Sequence, residues 1–209
     1  MRSSGGTSSA KSRPATGQPA KSQGVVVQLP ANTPGTRELI LATAQRLFDE
    51  QGYAATSLRQ IADAVGMTKA AVYYHYPAKE HLLLELARPM LDDMGDMIAR
   101  LRSREGTVPD PIEALEAYLD LFVEHLSVVG LMARDPATQN HPDVGRRLRT
   151  LVEAIQLQIA GPEASAEHSI RTSCAMGVIH AVSMLSPEAA AAHRSVILDA
   201  AVAALGVRR

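Results

Sequence analysis

From Thr36 onward apolar residues recur at helical spacing; before it they do not. Ile40, Ala44, Leu47 and Phe48 fall at i, i+4, i+7 and i+8, one face of a helix, and Gly52 stands where that helix would close. Ser57, followed three residues later by Gln60, is a capping-box pair. It opens a second helix with Leu58, Ile61, Ala62 and Val65 on one face, ended by Gly66. Thr68 caps a third helix, Lys69 to about His75, which Pro77 terminates. Two short helices joined by Val65-Gly66-Met67-Thr68 have the pattern of a helix-turn-helix, and the first helix supplies the third side of a small core.

The rest of the chain also reads as helix. Leu83, Leu86, Met90, Met94, Met97 and Leu101 mark a long fourth helix that Pro89 is expected to kink or break. Thr107–Pro111 reads as a loop. Ile112, Leu115, Leu119, Phe122, Leu126 and Val129 predict one further helix, and residues 134–142, with Pro136 and Pro142, a broken connection. Val144, Leu148, Leu151, Ile155 and Ile159 mark the next helix, stopped by Gly161-Pro162. Two more are expected over about 163–185 and 188–204. No stretch reads as a strand. Composition agrees: hydrophobic residues make up 46% and aromatics only 3%, which favours Ala- and Leu-rich helices over sheets. The expected fold class is all-α.

Charge divides the chain unevenly. Residues 1–37 carry Arg2, Lys11, Arg13, Lys21 and Arg37 and no acid. Residues 1–34 are rich in Ser, Gly, Pro, Lys and Gln and lack the apolar surface to order themselves. They read as a disordered basic arm, either a floppy leader or a segment that brushes phosphates. The remainder is net acidic, so any nucleic-acid contact must be local. The lone Cys174 permits no intramolecular disulfide and fits a reducing, cytoplasmic compartment; among small residues in a helix it is expected to be a buried thiol. No apolar run approaches the ~20 residues of a membrane span, and the first residues do not read as a signal peptide.

The segment from Thr36 to Ala87 resembles the DNA-binding region of the TetR/AcrR family. Phe48 and Gly52-Tyr53 match its end of the first helix and the Gly-aromatic turn. Thr56-Ser57, Ile61-Ala62 and Gly66-Met67-Thr68 match the second helix and the turn. Val72-Tyr73-Tyr74-His75-Tyr76 and Lys79-Glu80-His81-Leu82-Leu83 match the recognition helix and the tail after it. Val72, Tyr76 and Ala78 depart mildly from the family's usual Leu, Phe and polar cap. The resemblance implies an N-terminal helix-turn-helix domain, about 35–80, and a helical ligand-binding and dimerisation domain, about 81–209. It also implies a homodimer on a palindromic double-stranded operator, usually as a repressor released by a small molecule.

The recognition helix then begins at Lys69. Its first turn, Thr68, Lys69 and Ala70, suits approach to phosphate and base edges. Lys69 is the candidate for guanine, whose O6 and N7 a lysine can reach. By resemblance Tyr73 and His75 bind phosphate, Tyr74 faces the groove and Lys79 is a further phosphate ligand. Ser57 and Arg59 start the second helix near the DNA backbone, with a plain cap and a solvated charge as the alternatives. A symmetric dimer would read half-sites about 34–36 Å apart.

In the body, Met90, Met94, Met97, Phe122, His125, Leu126, Met132, Met176, His180 and Met184 are candidate lining residues for a mainly apolar effector, with an ordinary core as the alternative. Small residues over 169–181 and 189–204 permit close packing of the last two helices, within one chain or across a dimer. No HExxH, GxSxG or phosphate-loop spacing occurs. No enzyme activity, catalytic residue, cofactor or metal site is therefore expected, and no membrane partner.

Overall fold

The structure is a computed structural model that describes residues 35–102 and 110–207. The expected basic arm, most of the Thr107–Pro111 loop and the last two residues lie outside the described residues. Among the described residues every regular element is a helix: α1 Thr36–Gln51, α2 Leu58–Val65, α3 Lys69–His75, α4 Lys79–Arg102, α5 Pro111–Glu124, α6 Leu126–Arg134, α7 Pro136–Gln139, α8 Val144–Ala160, α9 Ala166–His180, a 3-10 turn Ala181–Met184, α10 Pro187–Ala192 and α11 Arg194–Leu205. No helix of the described residues is long and apolar enough to cross a membrane.

The first three helices form for the reasons their sequence gives. Ile40, Ala44 and Phe48 point inward from α1 and are essentially inaccessible. The Ser57 side chain accepts from the Gln60 N–H while the Gln60 side chain accepts from the Ser57 N–H, so both members of the capping box are in place. Gly66 closes α2 at φ +76, a left-handed conformation that a side chain would disfavour. Thr68 caps α3 by accepting from the Ala71 N–H. Val72 and Tyr76 complete the small core from the other side, both fully buried.

The body differs from expectation at its breaks. The helix expected over Ile112–Val129 is two helices, with His125 as the junction. The segment after α6 contains a short helix capped by Asp135. The helix expected over 163–185 tightens to a 3-10 turn after His180, and His193 divides the last one. Conversely, α4 runs unbroken through Pro89. Pro89 is exposed, so its ring meets solvent, and the neighbouring Leu86, Ala87, Met90 and Leu91 bury on the other face. The packing of α4, α5, α8 and α9 around one another joins the body's core to that of the first three helices.

Candidate nucleic-acid interface and ligand cavity

One face of α3 and its preceding turn is open. Thr68, Lys69, Ala70, Tyr73 and Tyr74 are exposed there, Tyr74 at 72%, while Val72 faces the core. The Lys69 Nζ lies 5.1 Å from the Tyr73 ring centre, one turn along the helix. Ser57 and Arg59 are exposed at the start of α2. Arg59 lies 3.9 Å from Asp63 in a pair so accessible that water screens most of it. His75 is half-buried, with its ring edge-on to Tyr74 at 5.3 Å.

Lys79, the further phosphate ligand that the resemblance implies, is turned toward the α1–α2 loop. Its Nζ turns inward and donates to the carbonyls of Tyr53 at 2.6 Å and Thr56 at 2.8 Å, with Ala54 at 3.4 Å. It also lies 4.2 Å from the Tyr53 ring centre. These contacts gather the α1–α2 loop, and burial lowers the pKa of the ammonium. Two of its three donors are taken by the Tyr53 and Thr56 carbonyls. The same loop turns at Gly52, φ +89. Thr56 closes it by donating to the Gly52 carbonyl at 2.7 Å.

The body holds a partly open cavity of about 630 Å³, within the range of small-molecule sites. Met90 and Met94 of α4, Tyr118 and Phe122 of α5, Val129 and Met132 of α6, and Leu148 and Val152 of α8 give it apolar walls. Gln139, Asn140, Arg149 and Glu153 add polar groups, as do His180 and Ser183. His180 Nε2 is 2.7 Å from the Tyr118 hydroxyl, and its imidazole stacks on Phe122 at 5.2 Å. Burial lowers the His180 pKa, which favours the neutral ring. A neutral ring that accepts the Tyr118 proton on Nε2 carries its own proton on Nδ1.

Comparison with known proteins converges on one group. The family model described as bacterial regulatory proteins, tetR family, matches residues 40–86, the span that holds α2, α3 and their turn. LmrA of Bacillus subtilis, an HTH-type transcriptional regulator, is 34% identical over 116 residues, covering 51% of this chain and 60% of LmrA. The repressor KstR2 of Rhodococcus jostii is 42% identical over 60 residues, 29% of each chain. Among solved structures, AmtR of Mycobacterium smegmatis superposes with a TM-score of 0.62 at 22% identity, covering 85% of this chain and 90% of AmtR. A TetR regulator from Streptomyces coelicolor gives 0.62 at 24%, covering 81% and 91%. Residues 40–86 carry the TetR-family pattern, and the chain is similar to TetR-family regulators. The chain spans 60% or less of the length of LmrA and KstR2. The structural neighbours extend the TetR fold, an N-terminal helix-turn-helix domain and a helical C-terminal domain, over most of the chain.

Within this TetR fold the candidate cavity residues divide. Met90, Met94, Phe122, Met132 and His180 line the cavity. Met97, Leu126 and Met176 do not: they are buried in the core. His125 does not either; at the α5–α6 junction its Nε2 is 2.7 Å from Asp93 of α4. Met184 is 86% exposed, because the 3-10 turn rotates it off the face that α9 buries. Cys174, expected to be buried, is exposed on α9. Tyr118, Gln139, Asn140 and Arg149 escaped sequence reasoning, since their approach depends on how α5, α7 and α8 meet. Asp93, Glu124 and His125 each place one possible ligand atom within 4.8 Å of the others, the one such grouping among the described residues. The Asp93–His125 hydrogen bond accounts for its closest pair, where α4 meets the α5–α6 junction.

Proposed function

We propose that this chain is a sequence-specific transcriptional repressor that binds a palindromic operator as a homodimer and leaves it when a mainly apolar small molecule fills the body. The observation that carries the DNA reading is the open face of α3, where Thr68, Lys69, Ala70, Tyr73 and Tyr74 stand exposed over a helix anchored by buried Val72. Lys69 reads a base edge with Tyr74 facing the groove, Tyr73 and Ser57 fix the register on phosphates, and Arg59 adds a long-range charge. LmrA and KstR2 are named as a regulator and a repressor, and this chain's role is inferred from its likeness to them.

The effector reading rests on the cavity. Its walls are methionine, aromatic and aliphatic side chains, with polar groups at a few points, the pattern of a small-molecule site. A cavity of about 630 Å³ with such walls favours a small molecule over a protein partner. The dimer reading rests on α9 and α11, which pack closely together and leave Ile170 and Val196 more than 60% exposed on their outer faces.

Selection of bound duplexes from a random library tests the proposal, with the native chain, Lys69→Ala and Tyr73→Ala in parallel. A palindromic motif recovered by the native chain and relaxed or lost in the variants is the expected result. A motif unchanged in both variants would remove α3 from the recognition site, and no motif with any of the three would overturn the DNA reading.

A further inference from the structure

The segment from Met132 to Asn140 is shared between the cavity and the DNA-binding domain. Met132 and Ala133 at one end, and Gln139 and Asn140 at the other, line the cavity. Between them Asp135, only 9% exposed, faces the α1–α2 loop. Its Oδ2 accepts from the Ala54 backbone N–H at 2.8 Å, and its Oδ1 accepts from the Ala137 N–H at 2.9 Å. One carboxylate therefore caps α7 and holds the loop that leads into α2. Lys79 grips that loop through its carbonyls.

The shared segment has little slack. Thr138, fully buried, donates to the Asp135 carbonyl at 2.7 Å, and the Gln139 side chain donates to the Met132 carbonyl at 2.9 Å. Behind it, a Cβ on Gly145 would overlap the Gln139 carbonyl, so α8 closes against α7 with no room for a methyl group. Packed elements of this kind move as units. Two other polar contacts between α1 and α6 run from side chain to side chain and can follow a displacement: Arg134 meets Asp49 at 3.3 Å and Gln45 meets Ser127 at 2.7 Å. Asp135 has a single methylene and a backbone partner, so a small shift of its own backbone breaks its bond.

We propose that Asp135 is the residue through which occupancy of the cavity reaches the helix-turn-helix: a filled cavity displaces the Met132–Asn140 segment, withdraws the carboxylate from Ala54 and frees the α1–α2 loop. The proposal rests on the reading of the cavity as the effector site. Ligand and DNA then favour opposite states of one element, which is what coupling between two sites requires.

The test needs no natural effector. Val152 lines the cavity, so Val152→Cys in a Cys174→Ser background, labelled with benzyl methanethiosulfonate, fills the cavity with a benzyl group that dithiothreitol removes. Mass spectrometry confirms the label. The first readout is hydrogen exchange of the Ala54 amide, followed by NMR, which involves no DNA. The second is affinity for the duplex recovered by selection. Labelling is expected to abolish Ala54 protection and to weaken duplex binding by about tenfold, within the usual range of such couplings, and reduction is expected to restore both. In Asp135→Ala, and in Asp135→Leu, similar in shape to aspartate but with no acceptor, should the alanine variant fail to fold, the amide is unprotected from the start and the label no longer changes duplex affinity. Ala54 protection that survives labelling overturns the proposal, as does a label-dependent loss of affinity that survives loss of the carboxylate. Absence of duplex binding by the unlabelled protein counts against the DNA reading alone, because the exchange readout still judges the latch. A thiol that does not react contradicts an accessible cavity, and the proposal falls with it.

Discussion

Lys79 sits at a position where a surface cation would meet DNA, yet its ammonium is spent on carbonyls. Charge-assisted hydrogen bonds of this kind contribute about 1.5–3 kcal/mol, so Lys79→Ala is expected to lower stability by about 1–3 kcal/mol. For a chain of this size that is roughly 2–4 °C of Tm per kcal/mol, readable by thermal denaturation. A lysine that neutralised a phosphate would also take about 0.9 from the slope of log affinity against log salt; Lys79→Ala is expected to leave that slope unchanged. A reduced slope would return Lys79 to the DNA. The pair Arg37–Glu85 joins the start of α1 to α4, and the hydrogen bond from Arg37 holds the Glu85 carboxyl below its ordinary 4.5. A depressed carboxylate stabilises the fold above its unfolded pKa, and the contribution fades as pH falls through the folded value. The stability gap between the native chain and Glu85→Gln is therefore expected to be full at neutral pH and to close below about pH 4.5, as read by urea denaturation across pH. The Arg37 side chain is 51% exposed, so the gap is about 1 kcal/mol or less. A gap that persists into acid would mean that Glu85 acts through packing and not through its charge.

At the scale of elements, α4 carries the clearest local conflict, since it holds Pro89 within 24 continuous helical residues. Pro costs about 3 kcal/mol relative to Ala in a helix interior, partly offset by the entropy it removes from the unfolded chain. Pro89 is exposed, so its replacement opens no cavity. Pro89→Ala is expected to raise stability by about 1–2 kcal/mol on that balance and, by stiffening α4 beside Met90, to damp the response of duplex affinity to the benzyl label. A fall in Tm would show that the surrounding core is built around the ring. How far such elements could be read in advance depended on where the information sits. The boundaries of α2 and α3 were legible because their caps are local: Ser57 with Gln60, Gly66, and Thr68 ahead of Pro77. The junctions at His125 and His193 were not, because the apolar period runs on through them without Gly or Pro. His125 pairs with Asp93, 32 residues away. Part of the cavity was legible as a methionine and aromatic pattern, through Met90, Met94, Phe122, Met132 and His180. Tyr118 looks like any core position of α5 until His180 meets its hydroxyl. The inward turn of Lys79 depends on carbonyls more than 20 residues before it, and no periodicity reports where a loop's carbonyls point.

For the whole molecule, two separated recognition helices can read a palindrome only if a second copy fixes their spacing. The outer face of α9 and α11 is suited to that contact. Ile170 and Val196 are 64% and 63% exposed, and Ser173, Cys174, Gly177, Ala200 and Ala203 are exposed beside them, small side chains that let backbones approach. Two-fold symmetry means that each of the two large side chains is buried twice, and full burial of each contributes about 1.5–3 kcal/mol. Replacing both with glutamate removes those contacts and places like charges where the copies meet. Ile170→Glu/Val196→Glu is therefore expected to sediment as a monomer at concentrations where the native chain is a dimer. Its fold should survive, because both side chains point away from the core that Thr172, Ala175, Leu198 and Val202 fill. The duplex it selects should shrink from a palindrome to a single half-site, bound far more weakly, since one α3 presents only Lys69 and a few polar tips. A variant that stays dimeric and keeps the full palindrome would move the interface to the other exposed apolar side chains, Leu157 of α8 with Met184 and Leu185 beyond α9. That arrangement would set a different spacing between the two recognition helices, and the half-site separation in the selected duplexes would report it directly.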